Sequence, residues 1–161
     1  MNKKFILGIA AAAALAVGSL SVSAEGFAKT NTYTPSMFSD VPATEWYASS
    51  VSSSYELGFM KGTADGVFSP EGNMTVAEAV TIAARVHDAY NAKGTAFSQN
   101  GANWYDEYVK YAINNGIIKA DAFDDYDRPV KRYEMAVIFS KAVPDSYLEA
   151  KNNVTEIPDV P

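Results

Sequence analysis

The chain has 161 residues, 19 Asp and Glu against 13 Lys and Arg, a formal net charge of −6 and no cysteine. Phosphate backbones and anionic headgroups are held by cations that displace condensed counterions, so an acidic chain excludes nucleic acid and membrane surfaces as expected partners. Without cysteine there is no disulfide and no thiolate chemistry, and stability has to come from burial.

Asn2, Lys3 and Lys4 make a short basic start, and Phe5 to Leu20 then carries no charge before the small residues Val22-Ser23-Ala24. Residues 1–24 therefore read as a secretory signal peptide cut after Ala24. An uncleaved anchor would want about 20 strongly apolar residues, and this Ala-rich stretch is weakly hydrophobic. Cleavage removes Lys3 and Lys4, leaving a more acidic mature chain for which no membrane contact is expected. Residues 25–37 form a polar lead-in, loose from Phe27 to Ser36, where Thr30, Asn31, Thr32 and Thr34 gather.

The first helix is expected from about Glu45 to Leu57, ended by Gly58, which takes a left-handed conformation without strain. The loop Lys61 to Asn73 carries Gly62, Asp65-Gly66, Pro70 and Gly72 for tight turns, pinned by Val67 and Phe68. Thr75 caps a second helix and Glu78 completes a capping box. Ala79, Ile82, Ala83 and Val86 follow at i, i+3, i+4 and i+7 on one face.

After a flexible connection from Ala92 to Gly101, the pattern returns. Glu45-Trp46-Tyr47 through Gly58-Phe59-Met60-Lys61 matches Asn103-Trp104-Tyr105 through Gly116-Ile117-Ile118-Lys119 at an offset of 58 residues. The apolar stripe returns as Met135, Ile138, Phe139 and Ala142, now offset by 56. Asp145 to Asn153 reads as a short helix or linker. Ile157-Pro158-Asp159-Val160-Pro161 then echoes Phe38-Ser39-Asp40-Val41-Pro42, as a third unit would open. The expected fold is mainly α: tandem helix-loop-helix repeats at 38–95 and 96–144, packed as a small pseudo-symmetric bundle, with 145–161 a linker and the start of a truncated third. One such unit cannot bury both of its helical stripes alone, so neighbours must pack together and leave clefts between them.

At these residues the chain resembles the S-layer-homology family, whose repeat opens Phe-x-Asp-Val-Pro, continues with a tryptophan helix and a glycine-bounded turn, and reaches a Thr-Arg-Ala-Glu motif. The first unit shows Phe38 to Pro42, Trp46, Gly58, Lys61-Gly62, Asp65 to Pro70 and Thr75-Val76-Ala77-Glu78; the second shows Trp104, Gly116, Ile117 and Lys131-Arg132-Tyr133-Glu134. The resemblance implies a non-catalytic module, exported to the cell wall and S-layer surface. Its three repeats would form a pseudo-threefold body whose grooves hold secondary cell-wall polysaccharide linked to peptidoglycan, often bearing an acidic pyruvate ketal. The polysaccharide-binding residues implied are Arg132, Lys131, Glu134, Trp104, Tyr133, Trp46, Glu78 and Asp40. Val76 stands where the family has arginine, so the first groove is expected to be weakened or silent. Lys131 replaces the capping threonine of the second motif. No cofactor is expected, and a second copy or a lost C-terminal part would complete the three-sided body.

Several of these residues also have structural readings. Trp46 and Trp104, at the start of packed helices, are expected in the core before they are expected on a sugar. Glu78 is first a cap, and Glu134 is expected to orient Arg132 or a neighbouring hydroxyl. Asp121, Asp124, Asp125 and Asp127 read as a solvated loop, because no glycine stands at the EF-hand turn position and Tyr133 falls where the closing glutamate belongs. His87, alone, is expected at or near the surface. A wall-acting glycoside hydrolase would need two carboxylates across a cleft, but the repeats use nearly every residue and leave no catalytic domain. A subunit of the surface lattice is the other alternative.

Overall fold

Helix boundaries fall where single residues impose them. The computed structural model describes residues 27–98 and 101–147; the expected signal peptide and the closing pentapeptide Ile157 to Pro161 lie outside them. The architecture is mainly helical: α1 (Ala48–Glu56), α2 (Val76–Tyr90), α3 (Asp106–Asn114), α4 (Arg132–Ser140) and a single 3-10 turn at Asp145–Tyr147. Gly58 and Gly116 sit at φ 74° and 72°. Each lets the two following amides turn back onto one helical carbonyl: Phe59 and Met60 N–H donate to Ser54 O, and Ile117 and Ile118 N–H donate to Ala112 O. A side chain at either glycine would oppose that turn, which is why both helices stop there.

The start of α2 is the most fully satisfied terminus of the fold. Glu78 N–H donates to Thr75 Oγ1 at 3.2 Å and Thr75 N–H donates to Glu78 Oε2 at 2.8 Å, which closes the expected capping box. The next two amides reach outside the helix: Val76 N–H donates to Arg128 O at 3.0 Å and Ala77 N–H to Tyr126 O at 2.8 Å, while Val130 N–H donates to Met74 O at 2.9 Å. Amides that a helix leaves orphaned are therefore paired by a segment about 50 residues further on.

Burial divides into two clusters. Phe38, Val41, Val51 and Phe68 pack around α1 with Tyr33, Tyr47 and Tyr55. The larger cluster joins Val76, Ala79, Val80 and Ala83 of α2 to Ala112, Ile117, Ile118, Ile138 and Ala142, and α2 packs against both α3 and α4. Ala79, Ala83 and Val86 of the expected α2 stripe face this second cluster and Ile82 does not, whereas α1 is held by the loop ahead of it and the loop after it.

Three expectations are corrected here. Trp46 is 86% exposed and Trp104 43% exposed, not core. Each precedes the residue that begins its helix, so the inward position falls to Tyr47 or Tyr105, and the indole rests edge-on against that tyrosine at 5.5 Å. The lead-in is docked, not loose: Thr30 and Asn31 N–H both donate to Glu56 O, the Asn31 amide donates to Tyr55 O, and Phe27 meets Phe59 edge to face at 5.2 Å. Its polar residues occupy the carbonyls that end α1, a role composition does not reveal. The connection from Ala92 is likewise tied over its described part. Thr95 donates its N–H and its hydroxyl to Asp88, and Phe97 stacks on Tyr108 at 4.4 Å.

Thr75→Ala removes one partner of the capping box and is expected to lower unfolding free energy by about 1 kcal/mol in urea titration, with Thr75→Ser restoring most of it.

Candidate functional site

Where α2 meets the second unit, a cavity of about 520 Å³ opens between the turn after α1, the following loop, one face of α2, and Trp104. That volume lies in the range of ligand pockets. Glu78, Thr81, Ile82 and Arg85 of α2 all line it, at i, i+3, i+4 and i+7, the spacing that puts four side chains on one helix face. Phe59 and Met74 supply apolar wall, and Lys61 adds a second cation at the rim. The groove thus combines two cations, one carboxylate, the hydroxyls of Thr63, Ser69 and Thr81, and a half-exposed indole.

Arg85 is positioned by both sides of the groove. Its Nη1 donates to Phe59 O at 3.0 Å and its Nη2 to the Tyr108 hydroxyl at 2.9 Å, and the guanidinium lies 5.0 Å from the Tyr108 ring centroid. One side chain therefore links the turn after α1 to α3. Lys61 is exposed, and Glu78, held at one oxygen by its cap, faces the groove beside them.

Of the residues expected at a glycan, Glu78 and Trp104 come together in this groove, and the others lie elsewhere. Asp40 accepts from Phe68 N–H at 2.9 Å and Ser69 N–H at 2.6 Å. Those bonds hold its carboxyl below the usual value and fix the loop against Phe38. Trp46 projects into solvent and lines none of the three described cavities. Val76 is fully buried beneath the 126–130 segment, so the absence of arginine at that position does not empty the groove of positive charge. Lys61 and Arg85 carry it.

A separate cationic patch sits at the start of α4. Lys131, Arg132 and Tyr133 are exposed there, with Lys131 Nζ 5.9 Å from the Tyr133 ring. Lys131 offers no side-chain cap, and the Arg132 and Tyr133 amides find no acceptor among the described residues. Glu134 does not orient Arg132. Its two oxygens accept from Arg128 at 2.7 and 2.9 Å, and one also accepts from Lys131 N–H at 2.8 Å. Arg128 reaches it because the 126–130 segment, bridged to Thr75 through Pro129, brings the guanidinium back over the first turn, while Arg132 is exposed. The Tyr133 hydroxyl lies 3.4 Å from the same carboxylate. Arg132 lines none of the three described cavities.

His87, half-buried, meets the Tyr111 hydroxyl at 3.0 Å; burial and then Lys93 hold the imidazole below its usual value, and burial with the nearby Asp88 pushes the phenol up to about 12. Asp121, Asp124, Asp125 and Asp127 are all exposed, and Asp125 accepts its partner's amide, Asp127 N–H, at 2.9 Å.

Lys61, Thr81 and Arg85 were not among the expected site residues. The signal for the latter two was present: polar residues three and seven positions after Glu78 interrupt the otherwise apolar run from Ala79 to Val86.

Residues 38–80 match the S-layer homology domain family. The chain is 26% identical to the Surface-layer 125 kDa protein of Lysinibacillus sphaericus over 93% of its length, and 33% identical to the S-layer protein sap of Bacillus anthracis over 73%. It is 30% identical to an S-layer protein of Bacillus thuringiensis subsp. finitimus, again over 73%. It spans only 13% to 14% of the length of these relatives.

Glu134 is held down to about 2, chiefly by the Arg128 hydrogen bonds. A carboxyl depressed in the folded state stabilises fully above its ordinary value of 4.5 and loses that contribution as pH falls toward 2. Thermal unfolding of the wild type is expected to fall more steeply between pH 5 and pH 3 than that of Arg128→Met, whose Glu134 lacks its principal partner.

Proposed function

We propose that this chain, whose residues 38–80 match the S-layer homology domain family, is a secreted protein of the bacterial cell surface that anchors by binding an acidic cell-wall polysaccharide without cleaving it. The supporting observation is the groove beside α2, where an exposed indole stands across from Lys61, Arg85 and Glu78. Sugar rings have apolar faces that stack on an indole and hydroxyls that need polar partners. A carboxylate, such as a pyruvate ketal carries, is matched by a guanidinium or ammonium group. In a chain of net charge −6, two cations converging on one cavity are a local exception that favours an acidic ligand.

The repeats at 38–95 and 96–144 form the pseudo-symmetric pair that creates this seam. The polysaccharide is the secondary wall polymer linked to peptidoglycan. Lys131 and Arg132 form a second contact for acid groups: two cations beside amides without an acceptor among the described residues, at the positive end of a helix, a setting that favours an anion. Tyr133 offers an adjoining ring, while Glu134 acts through the Arg128 pair that shapes the turn. Asp40 acts indirectly, by holding the loop that walls the groove. Two contacts on one polymer raise avidity beyond either alone. Self-association, or a further repeat, would extend the array beyond α4.

Co-sedimentation of residues 25–161 with purified wall, before and after chemical removal of ketal groups, tests this reading. Lys61→Met and Trp104→Ala are each expected to weaken binding about tenfold, the loss of one charge-assisted bond or one stacking contact, and Arg132→Ala to weaken it by a similar factor. Removing the ketals is expected to abolish the difference between wild type and Lys61→Met. Release of reducing sugar from the wall would instead identify a hydrolase, and unchanged binding by all three variants would remove the groove and the patch as sites.

A further inference from the structure

A buried polar atom in the groove has no partner among the described residues. Thr81 is 3% exposed and lines the groove, yet its Oγ1 has no hydrogen-bond partner among the described residues. It does not bond back to the carbonyl one turn earlier, the usual refuge of a helical threonine. Its α2 neighbours Ala77, Val80 and Ala84 are 0% to 1% exposed and wholly apolar. An unpaired hydroxyl among them costs stability that valine, of nearly the same shape, would not. The corresponding residue of α4, 56 positions on, is Val137.

We propose that Thr81 is a ligand-reading residue, its hydroxyl reserved for a hydroxyl group of a sugar bound in the groove. The inference rests on the glycan reading above and deepens it. Arg85 and Lys61 can only donate and an ionised Glu78 can only accept, whereas a threonine hydroxyl does both and so matches another hydroxyl. Helical threonine divides between two χ1 wells. Rotation between them carries Oγ1 to a different position on Cβ without moving the backbone, which would let the hydroxyl meet a partner bound in the groove. A ligand lacking that hydroxyl would leave Thr81 unpaired at the groove wall, which is how a site built around a buried polar group rejects a deoxy analogue.

The test compares wild type, Thr81→Val and Thr81→Ser for binding to purified pyruvylated wall polysaccharide, alongside thermal unfolding of each. The expected result separates the two measurements. Thr81→Val binds about tenfold more weakly while unfolding at the same temperature as wild type or higher, and Thr81→Ser, which keeps the hydroxyl, binds within about threefold of wild type. Binding by Thr81→Val equal to that of a binding wild type overturns the role of Thr81 and leaves the glycan reading standing. Equal losses by the valine and serine variants assign the residue to packing and also overturn it. A wild-type chain that fails to bind the polysaccharide at all overturns the glycan reading, and this inference with it.

Discussion

A helix in which Val76, Ala77, Ala79, Val80, Ala83 and Ala84 are all at or below 1% exposed cannot be stable in a lone helix-loop-helix unit, and the rest of the molecule follows from covering it. One stripe of a helix can be buried by its own unit; a helix apolar on most of its circumference needs neighbours on several sides. Here α3 and α4 supply two of them, and the 126–130 segment closes the end by accepting the Val76 and Ala77 amides. The units are therefore joined by shared burial and by backbone hydrogen bonds together. That double attachment fixes the geometry of the groove, because its walls come from the first unit and Trp104 comes from the second.

The same accounting explains why equivalent helices differ. α3 turns Tyr108 and Ala112, both buried, toward α2. The residues 58 positions earlier on α1 are Ser50 and Ser54, and Ser53 corresponds to Tyr111. A serine face is stable in water and needs no cover, so α1 can sit at one end held by Phe38, Val41 and Phe68. α4 is the opposite case. Its counterparts of Ala77 and Thr81 are Tyr133 and Val137, 63% and 60% exposed, so the outward side of α4 keeps large side chains in water where the matching side of α2 is covered.

Features that one residue imposes on its own backbone were legible before the structure. Gly58 and Gly116 ended helices, Thr75 and Glu78 began one, and three of the four residues of the i, i+3, i+4, i+7 stripe on α2, Ala79, Ala83 and Val86, joined the core, because each depends on local conformation or period alone. Ile82 turned to the groove. What failed depended on partners distant in sequence. Trp46 and Trp104 looked like core because they are large, but the helical register begins after them and awards the inward place to a tyrosine. Of the two partners expected for Glu134, the neighbouring hydroxyl is there in Tyr133, but Arg132 is not, because the 126–130 segment brings Arg128 back to the carboxylate instead. The lead-in looked loose because its residues are polar, yet polar groups are what the free carbonyls at the end of α1 require. Val76 was expected at a groove, and it lies fully buried beneath the 126–130 segment instead.

Placing a site on the helix that also carries the core sets two demands against each other. Every polar residue turned toward the groove, Glu78, Thr81 and Arg85, occupies a position that apolar packing would otherwise fill. Two of them are also used structurally: Glu78 caps α2 and Arg85 ties Phe59 to Tyr108. The groove exists only while the two units are docked, since undocking removes Trp104 and releases Arg85 from one of its anchors. Any ligand that touches both walls therefore binds the docked form alone, and by mass action it must favour docking by the same free energy that docking contributes to its own affinity. Under the proposed anchoring role this coupling has a mechanical consequence: tension that begins to separate the two walls would have to break the ligand contacts as well as the α2 core.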